Sequence, residues 1–68
     1  MEFKEKIKAV RLKLLMSQEE FAKELGVSFA SVNRWELGKC KPVYKAQKAF
    51  RGLCQKHNID FEKIGEKQ

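Results

Sequence analysis

The chain has 68 residues, a formal net charge of +6 and 43% hydrophobic residues. A chain of this length forms one small domain with a thin core, because it buries only about 60% of the surface that its unfolded form exposes. No apolar run approaches the roughly 20 residues that span a bilayer, and the mixed charges of the N-terminus are not those of a secretory signal. We therefore expect a cytoplasmic protein that does not enter a membrane.

The residues that commonly carry chemistry form no catalytic or metal-binding pattern. Cys40 and Cys54 have thirteen residues between them, without CxxC spacing or a nearby histidine partner, which is typical of reduced structural thiols. No set of nucleophile, base and orienting group is suggested, and the domain is too small for a deep pocket. We expect no enzyme, no metal and no cofactor.

The positive charge is concentrated in one part of the chain. Residues 1–32 carry a net charge of +1, residues 33–56 carry +6, and residues 57–68 carry −1. Scattered surface lysines are usually only solvated, whereas a bias of this kind indicates a polyanionic partner.

Apolar spacing predicts two helices in the first part of the chain. Phe3, Ile7, Val10 and Leu14 recur at helical spacing and predict a first helix from about Phe3 to Leu14. Ser17 and Glu20 have the spacing of a capping box, which predicts a second helix from about Gln18 to Leu25.

Two further helices follow a glycine turn at Gly26, where a left-handed conformation costs glycine almost nothing. Ser28 caps a third helix that extends to about Glu36 and ends at Gly38. Pro42 suits the first turn of a fourth helix over about Val43–His57, and Asn58 suits its left-handed end. Residues 58–68 are expected to form a tail, either as a short fifth helix near Asp60 or as a dimer contact.

The stretch Ser17–Leu37 is the most informative part of the chain. Phe21, Leu25, Val27, Val32 and Trp35 give its two helices an inner face, and small Ala22 allows them to cross closely. Phe29, Ala30, Asn33 and Arg34 are left facing outward, and a protruding helix with a polar, cationic outer face fits the DNA major groove.

This stretch resembles the helix-turn-helix of the phage-repressor and Cro-type family, also called lambda-repressor-like. The resemblance spans about Ile7–Leu53, and Leu15 stands where the family usually has glycine or another turn-forming residue. It implies an all-α, compact fold of four to five helices with a central helix-turn-helix in residues 1–57. The matching residues are Arg11, Met16, Ser17, Gln18, Glu19, Glu20, Ala22, Leu25, Gly26, Val27, Val32, Trp35, Glu36, Gly38 and Pro42.

Four side chains of the third helix are candidates for reading bases. Arg34 can donate two parallel bonds to a guanine edge, or else contacts phosphate or solvent. Asn33 can pair with adenine, or else points toward the DNA backbone. Phe29 and Ala30 occupy positions where the family places base-reading residues and can contact thymine methyl groups; the alternative for Phe29 is packing within the protein.

Other residues are candidates for gripping phosphate or for holding the fold. Gln18 can donate its amide to a phosphate at a helix N-terminus, and the resemblance implies the same role. Ser28 and Ser31 are caps that can also donate to phosphate. The resemblance implies that Lys39 and Lys41 straddle a phosphate strand, with solvated lysines as the alternative, and that Arg11 and Glu36 form a structural salt bridge.

These features predict sequence-specific binding of double-stranded DNA by a repressor-like transcriptional regulator. The alternative is an antitoxin or accessory module that uses the same scaffold to bind a protein. A homodimer is compatible with the tail residues Ile59, Phe61 and Ile64, which can instead close the core of the monomer. The absence of a sensor domain disfavours a small-molecule effector.

Overall fold

Four helices make up most of residues 2–60, which are the residues that the computed structural model describes. Helix α1 spans Phe3–Lys13, α2 spans Gln18–Leu25, α3 spans Phe29–Glu36 and α4 spans Tyr44–Lys56. No strand occurs in this part of the chain. The all-α fold predicted from the apolar spacing is therefore confirmed, and α2 with α3 forms its central helix-turn-helix.

One apolar core joins the inner faces of the four helices. Phe21 and Phe50 pack edge to face with ring centroids 6.1 Å apart, and Phe3 packs on Phe50 at 5.7 Å. Partly buried Phe3, Leu14, Met16 and Val27 cover this core. The buried hydrophobic residues are Ile7, Val10, Phe21, Ala22, Leu25, Val32, Trp35, Ala46, Phe50, Leu53, Cys54 and Ile59.

The helix-turn-helix begins at two serine caps, as the sequence predicts. Ser17 Oγ accepts the backbone N–H of Glu20 at 3.1 Å, and the Glu20 carboxylate accepts the backbone N–H of Ser17 at 2.8 Å. Ser28 Oγ accepts the backbone N–H of Ser31 at 3.1 Å. These bonds satisfy donors that a helix start leaves without intrahelical partners, and so they fix where α2 and α3 begin.

All four helices of residues 2–60 end in the same way. A residue with positive φ follows each helix: Leu15, Gly26, Gly38 and Asn58. The next residue then donates its N–H back to a carbonyl five positions earlier, as Val27 does to Ala22 at 2.9 Å and Ile59 to Cys54 at 2.8 Å. This pair of features is the Schellman motif, which turns the chain sharply out of a helix.

Leu15 is the unusual member of this set. It has a φ of 57° and is 90% exposed. For an L-residue with a side chain the left-handed conformation costs roughly 1–2 kcal/mol, because Cβ approaches the following carbonyl oxygen. The corner after α1 therefore has the geometry of a glycine turn, built with leucine.

The prediction for Pro42 is wrong in its detail. Helix α4 begins at Tyr44 with Val43 as its N-cap, so Pro42 precedes the cap instead of lying in the first turn. Pro42 is buried, and its carbonyl oxygen accepts Nε2 of Gln47 at 2.8 Å. This side-chain bond holds the loop against α4, although it is not a cap, because Val43 offers no side-chain acceptor to the first N–H groups of the helix.

Ile59 lies in the core, 8% exposed, directly after the left-handed Asn58. This residue therefore closes the core of the monomer. The expected fifth helix and the other two apolar tail residues, Phe61 and Ile64, lie outside the described residues.

The two cysteines are free thiols in different surroundings. Cys40 is exposed in the loop between α3 and α4, whereas Cys54 is buried in the core. Burial raises the pKa of the Cys54 thiol, and the nearby charge of Arg51 opposes this effect only in part. Cys54 is thus a protonated, apolar packing residue.

The left-handed corner predicts that Leu15→Gly stabilises the protein. The substitution removes the strain of about 1–2 kcal/mol and loses about 0.5–1 kcal/mol to the greater freedom of glycine in the unfolded chain. We expect a net gain of about 0.5–1 kcal/mol in the free energy of unfolding, measured by thermal and denaturant melts.

Gly26→Ala is the matched control for this experiment. A Cβ at Gly26 meets nothing within 4 Å, but its φ is +73°. The substitution should therefore lower stability by about 1 kcal/mol through the backbone alone. A Leu15→Gly variant that melts below the wild type would show that the corner is not strained.

Candidate nucleic-acid interface

The outer face of α3 carries the four candidate base-reading side chains. Ala30 and Arg34 are exposed, Phe29 is 49% exposed, and Asn33 is half-buried. Val32 and Trp35 fix this orientation because both are buried on the opposite side of the helix. This face therefore presents the exposed Arg34 guanidinium beside the apolar side chains of Phe29 and Ala30. The half-buried Asn33 amide lies at its edge.

Two hydroxyl groups lie at the N-terminal end of α3. The hydroxyls of Ser28 and Ser31 are hydrogen-bonded to each other at 3.0 Å, and Ser28 Oγ also accepts the N–H of Ser31. When Ser28 donates to Ser31, the Ser31 hydroxyl proton remains available for an outside acceptor. The cap and a donor to phosphate are thus compatible in this pair.

Two lysines lie just beyond the C-terminal end of α3. Lys39 and Lys41 are both exposed, on either side of Cys40. The backbone N–H of Lys39 donates to the carbonyl of Arg34 at 3.0 Å and Gly38 has a φ of 76°, so the chain turns away sharply here. Both ammonium groups therefore project from the loop at this end of the helix.

Arg11 and Glu36 form a bidentate ion pair between α1 and the last residue of α3. Arg11 Nε donates to Glu36 Oε2 at 2.7 Å, and Arg11 Nη2 donates to Glu36 Oε1 at 3.0 Å. The side chains are only 12% and 6% exposed. The hydrogen bond to Glu36 and its negative charge raise the pKa of Arg11 against the opposing effect of burial.

The same pair is tied to the corner after α1 and to α2. Arg11 Nη1 donates to the backbone carbonyl of Met16 at 3.0 Å. Gln18 Nε2 donates to Glu36 Oε1 at 3.0 Å. We call Arg11, Glu36 and Gln18 the clamp, since these three side chains connect α1, α2 and α3.

The candidate phosphate contacts fall into two groups at opposite ends of α3. Ser28 and Ser31 lie at its N-terminal end, whereas Gln18, Lys39 and Lys41 lie around its C-terminal end. Ser28 and Glu36 are eight residues apart, which corresponds to about 12 Å along a helix. The outward face with Arg34 lies between the two groups.

The described residues contain neither a metal-ligand cluster nor a membrane-spanning helix. Within residues 2–60, no three His, Cys, Asp or Glu side chains come close enough together to hold a metal ion. None of the four helices has the length and apolar character needed to cross a membrane.

Comparison with known families identifies the class of protein. The helix-turn-helix family model matches residues 7–49, which include the larger part of α1, all of α2 and α3, and the first part of α4. The chain belongs to this family, the DNA-binding helix-turn-helix proteins of the Cro/C1, lambda-repressor-like type. No curated protein and no solved structure gives a significant match to the chain.

Sequence reasoning missed the bond between Gln18 and Glu36. It assigned Gln18 to phosphate and Glu36 to Arg11, without joining the two assignments. The available signal was the closeness of Gln18 to the corner after α1. Met16, whose carbonyl accepts Arg11 Nη1, lies two residues before Gln18. The bond itself depends on how α2 crosses the end of α3, which no local pattern specifies.

The ion pair predicts that each partner depends on the other for stability. Arg11→Ala or Glu36→Ala should each lower the free energy of unfolding by about 3 kcal/mol, because each leaves a buried charge unpaired. The double variant Arg11→Met/Glu36→Leu should lie much closer to the wild type, because it removes both charges and retains the volume.

Denaturant and thermal melts of the two single variants and the double variant test this prediction. Lys8→Ala, an exposed residue of α1, is a suitable control and should melt like the wild type. Single variants that also melt like the wild type would show that the pair adds nothing to the fold.

Proposed function

We propose that this protein binds double-stranded DNA sequence-specifically, with α3 in the major groove, and acts in the cytoplasm as a repressor-like transcriptional regulator. The observation that carries the proposal is the outward face of α3, which presents Arg34 between two groups of hydrogen-bond donors and cations. The major groove is about 12 Å wide and admits one α-helix. The separation of the two groups suits contacts to the phosphate strands that border such a groove.

In this proposal the side chains divide into reading and gripping groups. Arg34 donates to guanine O6 and N7, Phe29 and Ala30 contact thymine methyl groups, and Asn33 contacts a base at the edge of the surface. Gln18, Ser28, Ser31, Lys39 and Lys41 contact phosphates and set the register of α3. Arg11 and Glu36 set the angle at which α3 is presented.

Binding and selection experiments test the proposal directly. Selection from random duplexes should enrich one sequence, and two related half-sites at a fixed spacing would indicate that two copies bind together.

The alternative function, an antitoxin or accessory protein-interaction module, is favoured by exposed apolar side chains such as Leu15 and Tyr44. An isolated protein that enriches no duplex would support that alternative.

The concentration of charge predicts a strong dependence of duplex affinity on salt. Residues 33–56 carry a net charge of +6. If about four to six phosphates are neutralised by each protomer, log K should fall with log salt with a slope of about −4 to −5 per protomer. Fluorescence anisotropy titrations between low and physiological salt measure this slope. A slope near zero would contradict the electrostatic part of the proposal.

A pair of variants separates reading from gripping. Arg34→Ala should cost about 1–3 kcal/mol on the selected site and relax the preference at one base pair. Lys41→Ala should weaken binding to all duplexes alike and reduce the salt slope by about one.

Both variants are compared on the selected site, on its single-base variants and on random duplex. Lys45→Ala, at an exposed position of α4, controls for the loss of one positive charge in the same segment. If Arg34→Ala weakens all duplexes equally, Arg34 grips phosphate, and specificity depends on Phe29, Ala30, Asn33 or the shape of the DNA.

A further inference from the structure

Glu36 is the point at which the structural ion pair meets the proposed DNA surface. Its Oε1 accepts both Arg11 Nη2 and Gln18 Nε2, each at 3.0 Å. Gln18 is the first residue of α2 and is half-buried. One carboxylate oxygen therefore holds the α1 guanidinium and the α2 amide together.

This bond fixes which way the Gln18 amide faces. An ionised carboxylate only accepts hydrogen bonds, so the amide nitrogen and not the amide oxygen lies against Glu36. The nitrogen carries two hydrogens, and one of them is used in this bond. The second has no partner among residues 2–60 and remains available for an acceptor outside the protein.

A donor that points at the phosphate matters at the N-terminus of α2, because acidic side chains lie beside the positive end of the helix dipole. The first turn of α2 contains Glu19 and Glu20. Their carboxylates offset the partial positive charge that a helix N-terminus presents to an anion. A phosphate at this end therefore depends on donors that point at it more than on the general attraction of the helix end.

Arg11 has a second effect on the same contact. Its guanidinium neutralises Glu36, which otherwise places another negative charge behind the Gln18 amide. The carboxylate can hold the amide without repelling a phosphate only while Arg11 is paired with it. The clamp thus connects α3, which carries the proposed base-reading side chains, with the Gln18 amide, which is the proposed donor to a DNA phosphate.

We propose that Glu36 is a positioning residue for DNA binding, which holds the Gln18 amide in the orientation that donates to a phosphate at the N-terminus of α2. This inference rests on the proposed function and deepens it. It makes the strength of the α2 contact depend on the Arg11–Glu36 pair, although neither of those residues touches the DNA in the proposal.

A double-mutant cycle on duplex affinity tests the inference. Gln18→Ala is measured in the wild type and in the Arg11→Met/Glu36→Leu background, which removes the clamp without leaving a buried charge. We expect a loss of about tenfold in the wild type, the size of one charge-assisted hydrogen bond. In the double-variant background the loss should fall below about twofold. Gln55→Ala, an exposed glutamine of α4, is the matched control.

The salt slope separates positioning from a general structural disturbance. Gln18 is neutral, so its loss should weaken binding by the same factor at every salt concentration and leave the slope unchanged. A disturbance that displaces Lys39 or Lys41 lowers the slope instead, and that result would overturn the inference. Equal losses from Gln18→Ala in both backgrounds would also overturn it, because the amide would then act independently of Glu36.

A measurement on the wild type does not depend on the stability of any variant. In the free protein, the Gln18 side-chain amide proton that is bonded to Glu36 should exchange with water more slowly than either side-chain amide proton of the exposed Gln55 in NMR measurements. Addition of duplex should shift the Gln18 proton that is not bonded to Glu36. Gln18 protons that behave like those of Gln55 would overturn the inference. If the wild type still binds duplex with a steep salt slope, the proposed function survives that result; if it binds no duplex, both fail.

Discussion

The largely buried ion pair between Arg11 and Glu36 is the constraint on which the arrangement of the first three helices depends. The two residues are 25 positions apart, and a charge with so little exposure is tolerated only beside its partner. Arg11 also makes two hydrogen bonds to Met16 in the corner after α1. Its carbonyl accepts the N–H of Met16 at 3.1 Å, and its Nη1 donates to the carbonyl of Met16. A thin core permits many packings of similar energy, whereas this network permits few.

The helix ends show a second regularity, and its exception lies at the proposed DNA surface. After the left-handed residue of α1, α2 and α4 comes an apolar residue that turns inward: Met16, Val27 and Ile59. This is the hydrophobic contact that often accompanies the motif. After α3 the same position holds Lys39, which is exposed. Position 39 therefore lacks the apolar contact that the other three helix ends make. It instead places the exposed Lys39 ammonium beside the proposed DNA surface.

The sequence predicts those parts of this fold that local chemistry determines. Helix bounds agree within a residue because serine caps and left-handed terminators act over three to five residues. The position of Pro42 was wrong because proline suits both the first turn and the residue before a cap, and no pattern in the sequence distinguishes the two here. The orientation of Gln18 was beyond local reasoning because its partner, Glu36, lies on another helix 18 positions along the chain.

The proposed separation of base contacts from phosphate contacts follows from where the positive charge of residues 33–56 lies. The outer face has one cation and two apolar side chains, while most positive charge of residues 33–56 lies in the loop and along α4. Phosphate contacts give affinity for any duplex, and contacts to base edges discriminate among sequences, a role that we propose for the outward side chains of α3. A good bidentate contact to a base contributes about 1–3 kcal/mol of discrimination, whereas specific sites must exceed non-specific DNA by about 4–10 kcal/mol. In the proposed function Arg34 supplies one such contact and lies below that range on its own, so specificity there needs either the other outward side chains of α3 or a second copy on an adjacent half-site, with the clamp of each copy holding its α3 at a fixed angle.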